Sequence, residues 1–547
     1  MDYLQRHLID RAMEDYWSGK LTRRELLRRL AIIGGGTVLG LNVLGNLSCG
    51  FPADTPAQGG PQSRPGGAAN LLAAPPDQPN ILFIVIDTLR ADHVASYGYG
   101  RPTSPTIDSL ARQGVLFETA VSTAPYTAPS HASLLTGRYP HEHGVQWINH
   151  RPAFDGRYPT LPETLRARGY RTAAFSANRF WFTREQGFGQ GFIRFEDTFS
   201  SPVKMALRTV YGRQIEDAII KNVAEDYPWR TRASNINSSV LSWLKQDRDR
   251  PFFAFLNYFD VHDPYFPPRS YRGKFSALEN PGGIVNSYQN RFNPEMTPQQ
   301  IQNEIDAYDG AISYVDDHLA QLLTQLRDLG LDDNLLVIVT SDHGEAFGEH
   351  GTFLHPNSVY REEIHVPLVI WQPGRIPAGV RVPQPVTIAA LPATVMDLAD
   401  QREHNIFPNQ SLARFWEHHE GPPESPLPLA EMEHWPWMYL RAPSSQGAMR
   451  SLVSSEFHYI EHDTLGTELY DWRHDPRETR NLAETTEGRA KIDQFRGVLE
   501  KIIGVYERDE ASGKRYEIEM ARGVDSDVYR TIQGKPAQAS VEMGNRR

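Results

Sequence analysis

The sequence predicts an α/β fold: a large, mostly parallel sheet sandwiched by helices, with a small C-terminal α+β subdomain. Three observations predict it. Short all-apolar runs recur at Ile81–Ile86 (ILFIVI), Thr172–Phe175, Phe252–Leu256, Leu335–Val339 and Val366–Ile370, and strands apolar on both faces belong to buried parallel sheets. Helical patterns lie between them. The clearest carries Ile305, Tyr308, Ile312, Val315, Leu319, Leu322 and Leu326 at alternating steps of three and four, before Gly330 stops it. Beyond about residue 430 the pattern changes to that of antiparallel strands over 447–482, followed by a helical pattern over 484–506.

The segments follow in order. Residues 1–49 read as an export signal: Arg23-Arg24, then Leu26-Leu27, then a weakly apolar, Gly-rich run to Leu47. Thr22 to Leu27 resembles the twin-arginine type, which predicts an exported protein, periplasmic or at the cell surface. The alternative is a single membrane anchor, for which residues 31–47 are short against a span of ~20 residues. Cys49, the only cysteine, excludes an internal disulfide framework and any multi-cysteine metal site. It stands where a lipoprotein is lipidated, although Asn46 and Leu47 fit the usual box poorly. Membrane contact is therefore expected only through such a lipid anchor or an uncleaved signal. Residues 50–79 are Gly/Pro-rich and aperiodic, as a flexible linker would be. The catalytic body is expected over 80–430, the C-terminal subdomain over 431–510 and a polar tail over 511–547. The net charge of −11 gives no reason to expect a nucleic-acid partner.

In sheets of this kind ligands gather beyond the carboxyl ends of the strands. Asp87 follows ILFIVI, Asp342-His343 follow LLVIVTS, and Asp260 and His262 follow FFAFLNYF. Buried carboxylates are costly there unless paired or metal-bound. Asp87, Asp342 and His343 make a reasonable ligand set for one divalent ion, Mn²⁺ or Zn²⁺ before Ca²⁺. Alternatively, each Asp caps a helix or turn. No further Asp/His set has metal-ligand spacing.

The stretch STAPYTAPSHASLLTG reads as a helix start, with Thr127 as cap, Pro129 in the first turn and Gly137 at the stop. A helix N-terminus also favours negative charge on a nearby oxygen. The Thr127 hydroxyl becomes a nucleophile only when a base or metal activates it, and the Asp87/Asp342/His343 ion would do so. Thr127 thus joins the expected metal set.

NILFIVIDTLRADH, TAPSHASLLTGRYPHEHGV, YFDVHDPYFPP, YVDDHLAQLL, SDHGEAFGEHG, IHVPLVIWQPG and ELYDWRHDPRETRNL, in this order, resemble the sulfatase family of the alkaline phosphatase superfamily, over about residues 79–485. The resemblance implies that family's fold and an ester-hydrolysing activity. It also marks departures. The family's formylglycine signature begins with cysteine or serine, with proline two and arginine four residues on; here those positions are Thr127, Pro129 and His131. The usual Asp-Asp and Asp-Asn pairs are Asp87-Thr88 and Asp342-His343. The lysine–tryptophan–histidine segment is Ser176-Ala177-Asn178-Arg179, and His355 stands near a sulfate-binding lysine position. An acidic residue, a threonine and an Asp-His pair also resemble phosphoethanolamine transferases and lipoteichoic-acid synthases, which use threonine as nucleophile.

Chemistry separates these branches. Formylglycine hydrate expels sulfate by collapsing to the aldehyde, an exit closed to threonine. A threonine phosphate is instead released by in-line attack of water on phosphorus. The resemblance makes His262 the contact to the transferred group and a general acid. It lets His355 bind a non-bridging oxygen or serve as a second acid. His131 either orients Thr127 or faces solvent, while Asp260 and Asp263 hold the loop around His262. The expected function is metal-dependent hydrolysis or transfer of phosphate mono- or diesters on a small-molecule, glycan or lipid-headgroup substrate. The alternatives are a sulfatase working without formylglycine and a catalytically silent binding protein.

Overall fold

The computed structural model describes residues 78–145, 154–197, 230–246, 250–276, 296–417, 426–436, 438 and 441–503. The expected export signal with Cys49, the expected linker up to residue 77 and the expected tail from 511 lie outside the described residues. Among the described residues no helix is long and apolar enough to cross a membrane.

The main sheet contains β1 (Asn80–Ile86), β2 (Val115–Val121), β3 (Arg171–Ser176), β4 (Arg194–Glu196), β5 (Phe252–Tyr258) and β6 (Leu335–Thr340). A short β7–β8 hairpin (Ala346–Phe347, Phe353–Leu354) follows, and then β9 (His365–Trp371), β10 (Val380–Val382) and β11 (Val386–Thr387) complete the main sheet. The order is β10-β2-β9-β6-β1-β5-β3-β4, with β11 on β2. β1 lies at the centre, parallel to β5 and β6. Its side chains alternate between two apolar cores: Ile81, Phe83 and Val85 face one, Leu82, Ile84 and Ile86 the other. That is why ILFIVI needs no polar position.

Helices cover both faces. α1 (Pro105–Gln113), α4 (Ala233–Leu244) and the long α5 (Pro298–Asp328) pack on the Leu82 side. α2 (Thr127–Thr136), α3 (Leu161–Ala167) and α6 (Leu391–Leu398) pack on the Phe83 side. A four-stranded antiparallel sheet, β12 (Leu429–Met432), β13 (Met449–Val453), β14 (Phe457–His462) and β15 (Gly466–Asp471), follows, and α7 (Thr486–Ile503) packs on it.

Two expectations need correction. The run at Val366–Ile370 is a buried strand, β9, but it is antiparallel to both neighbours. A parallel return requires a crossover to the far end of the sheet. Residues 341–364 form only the β7–β8 hairpin, a 3-10 turn (Glu349–Gly351) and a four-residue helix (Arg361–Ile364), so the chain re-enters from the end it left. Thr127 is not the helix cap. The cap is Tyr126, whose φ of −160° is extended, and Thr127 is the first helical residue. Gly137 ends the helix at φ 69°, a conformation that disfavours side chains.

Candidate functional site

The side chains converge at the carboxyl end of the sheet. Asp87 leaves β1 with its N–H on the Tyr258 carbonyl at 2.9 Å. Thr88 then turns the chain at φ 60° and donates its N–H to Asp342 Oδ1 at 3.3 Å. The His343 N–H reaches the same oxygen at 3.0 Å. The Asp342 carbonyl accepts hydrogen bonds from Ser122 Oγ and, at 2.6 Å, from Ser130 Oγ, which fastens the end of β6 to α2.

Asp87, Asp342 and His343 are fully buried, and each offers a ligand atom within 4.8 Å of the others. Asp87 Oδ1 and Asp342 Oδ2 have no hydrogen-bond donor among the described residues. His343 Nε2 stands 3.9 Å from the first and 3.5 Å from the second. Burial, with the neighbouring Asp342 charge, pushes Asp87 up to about 6. Burial likewise pushes Asp342 up to about 7 and draws His343 down to about 4. A neutral imidazole donates Nδ1–H to the Gly344 carbonyl at 3.0 Å and turns the lone pair of Nε2 toward the carboxylates. Two donorless buried carboxylate oxygens beside an imidazole lone pair are poor company without a cation. They fit a divalent ion.

Thr127 Oγ1 lies 3.4 Å from His343 Nε2 and 3.4 Å from Asn178 Nδ2. The residue is 2% exposed. Because Tyr126 is the cap position, the Thr127 hydroxyl is not spent on the helix end. His131 is fully buried, which excludes a solvent-facing ring. Its Nδ1 is 3.0 Å from the Thr127 carbonyl oxygen and 3.5 Å from Asp342 Oδ2, so it meets the backbone of Thr127 rather than its hydroxyl. Burial holds its pKa down at about 3.

His262 and His355 flank this group. The His355 ring centroid is 4.3 Å from that of His343 and 4.9 Å from that of His262. His262 stacks on Phe259 at 4.2 Å and sets Nδ1 3.0 Å from Asp263 Oδ1. Burial opposes its protonation, but the Asp263 carboxylate prevails and raises the imidazole to about 9. His355 directs Nδ1 to the buried Glu345 at 2.7 Å. Asp260 is outside this group of side chains but holds the same loop: it accepts from the Ala233 N–H at 2.8 Å and from Arg232 Nη1 at 3.1 Å, and Arg232 Nη2 in turn donates to the Phe266 carbonyl at 2.8 Å.

Sequence reasoning passed over Asn178 as a contributor. Its Nδ2 donates to Asp87 Oδ2 at 3.0 Å, and its Oδ1 accepts from the N–H groups of Phe180 and Trp181. Asn257 supports it, accepting the Asn178 N–H at 3.2 Å. The strand-end rule that selected Asp87 also points to Asn178, two residues beyond β3. A neutral amide carried no obvious chemistry, so only its position singled it out.

The family model described as Sulfatase matches residues 79–401. An uncharacterized sulfatase, YidJ, of Escherichia coli (strain K12) is 26% identical over 437 residues, covering 74% of this chain and 83% of that protein. An arylsulfatase of Clostridium perfringens is 23% identical, covering 80% and 97%. The crystal structure of a phosphonate monoester hydrolase of Agrobacterium radiobacter superposes with a TM-score of 0.62 at 23% identity, covering 78% of this chain and 95% of that one. This last likeness is one of fold: a mostly parallel central sheet flanked by helices.

Proposed function

The chain belongs to the sulfatase family of ester-hydrolysing enzymes, and on that premise we propose that it hydrolyses phosphate mono- or diesters through Thr127. One observation carries this reading. The residue at the nucleophile position is a threonine whose hydroxyl is free of capping and sits against His343 and two donorless carboxylates. The fold alone leaves the choice open, because similar structures include both sulfatases and phosphonate monoester hydrolases.

Asp87, Asp342 and His343 would hold the divalent ion beside Thr127, Mn²⁺ or Zn²⁺ suiting this mixed oxygen and nitrogen set. When bound, such an ion lowers the pKa of an adjacent hydroxyl and offsets the charge of a phosphoryl group. Thr127 Oγ1, its proton lost to solvent, forms a bond to phosphorus as the bond to the leaving oxygen breaks. His262, held as imidazolium by Asp263, protonates that oxygen, a contribution of ~10²–10⁴-fold. Water then attacks phosphorus in line, His262 takes its proton, and the P–Oγ1 bond breaks, Oγ1 regaining a proton from solvent to restore threonine. Asn178 keeps Asp87 and Thr127 in register, and His355 faces the transferred group beside His343. The substrate class is a small-molecule, glycan or lipid-headgroup ester. Residues 1–49 would direct export ahead of the 80–430 catalytic body and the 431–510 subdomain.

The second reading is sulfate-ester hydrolysis, favoured by the names of the sequence relatives. A screen of phosphate mono- and diesters, phosphonates and sulfates, titrated with Mn²⁺, Zn²⁺ and Ca²⁺, separates them. Thr127-dependent turnover of phosphate esters supports the proposal, and turnover of aryl sulfates alone overturns it.

A further inference from the structure

A second cluster of metal-ligating side chains lies away from Thr127, between the loop after β6 and the C-terminal antiparallel sheet. His350, Glu362 and Glu478 each offer a ligand atom within 4.8 Å of the others. His350 Nε2 stands 4.0 Å from Glu362 Oε1, beyond hydrogen-bond distance. Glu362 is 8% exposed, and this Oε1 has no hydrogen-bond partner among the described residues. A buried carboxylate oxygen directed at an imidazole without bonding it is costly unless something else occupies the gap.

The surroundings fix each donor. The His350 ring lies flat on Tyr360, centroids 3.7 Å apart and planes 7° from parallel, with its backbone at φ 51°. Glu478 takes the Arg361 N–H at 3.1 Å on one oxygen and meets His458 Nδ1 with the other. Two further carboxylates, Glu349 and Glu468, stand close by, and Arg90 and Arg361 are the neighbouring cations. The side chain of His350 is 16% exposed, which leaves the cluster open to solvent on that side.

We propose that His350, Glu362 and Glu478 form a second divalent-cation site, of the borderline class represented by Zn²⁺, that ties the C-terminal sheet to the loop carrying Asp342 and His343. One imidazole and two carboxylates are an ordinary donor set for such an ion. The tie is direct. The Glu362 carbonyl accepts the Glu345 N–H at 3.0 Å, while Glu478 follows β15. Glu478 lies far along the chain from the other two donors, so the set has no signature in linear spacing.

The full-length protein, stripped with EDTA, is dialysed against Zn²⁺, and bound metal is measured for wild type, Glu362→Gln and His350→Ala. Each variant is expected to bind one equivalent fewer than wild type while keeping the equivalents held elsewhere. Equal stoichiometry in wild type and both variants overturns the site. Anomalous diffraction from a Zn²⁺-soaked wild-type crystal decides independently of variant folding. A peak between His350, Glu362 and Glu478 supports the proposal, and its absence overturns it whatever the variants do. Because neither measurement uses turnover, the result stands apart from the reading of Thr127.

Discussion

Thr127→Ala separates chemistry from stability. Thr127 is the first residue of α2, 2% exposed, and among the described residues its hydroxyl makes only the two 3.4 Å approaches to His343 and Asn178. The substitution deletes a hydroxyl and a methyl group. Burial of one methyl is worth about 0.8 kcal/mol, and alanine returns roughly half a kcal/mol as the better helix former. No capping bond is lost, so the ~1 kcal/mol cost of removing a cap does not apply. Tm should therefore move by no more than ~2 °C. Turnover should behave differently, because the bond-forming atom is gone while the surrounding charges remain. A fall in kcat on the order of 10³-fold or more is expected, about 4 kcal/mol in the barrier. Thr127→Ser keeps an oxygen and should retain most of the rate. The assay is steady-state hydrolysis of an aryl phosphate and an aryl phosphodiester with Mn²⁺ present, beside calorimetric melting of each variant. Acid quenching and mass spectrometry should find phosphothreonine in wild type only. Equal turnover by wild type and Thr127→Ala refutes the nucleophile assignment. A drop in Tm large enough to account for the lost rate refutes the claim that this hydroxyl has no structural duty.

In the proposed mechanism His262 gives up its proton from the charged form, so kcat/KM should fall as pH rises through about 9, or through a lower value once a cation is bound nearby. Because the Asp263 carboxylate holds the proton on, Asp263→Asn should move that limb to lower pH; a pH–rate profile that does not shift removes His262 from the role. Asn178→Ala deletes the donor to Asp87 and the acceptor for two loop N–H groups, which should destabilise by ~1–3 kcal/mol and lower kcat/KM at least tenfold. Denaturant melts and kinetics on one preparation would show whether both fall. Gly344→Ala places a Cβ 2.0 Å from the Glu362 carbonyl oxygen, so backbone must move at a cost of ~1–3 kcal/mol. An unchanged Tm and unchanged Mn²⁺ affinity would contradict that close approach.

The residues themselves determined much of this. Short runs apolar on both faces and rich in β-branched and aromatic residues read as buried strands, and ILFIVI, FFAFL and LLVIV occupy the middle of the sheet as β1, β5 and β6. Polar residues immediately after such runs emerge at the strand ends, which is why the sequence places Asp87, Asp342 and His343 at one end of the sheet, where they meet. Periodicity reports burial, and burial is local to each element. Strand direction is not. β9 has the same apolar pattern as its neighbours, and only the path of residues 341–364, which never crosses the sheet, made it antiparallel. Individual side-chain partners are not local either. Whether Thr127 capped its helix depended on one extended residue, Tyr126. Asn178 acquired its contacts because β3 ends beside β5, and β5 beside β1. Glu362 and Glu478 met because the C-terminal sheet packs back onto the strand-end loop. Spacing along a chain cannot register such meetings, because they are set by how distant elements dock.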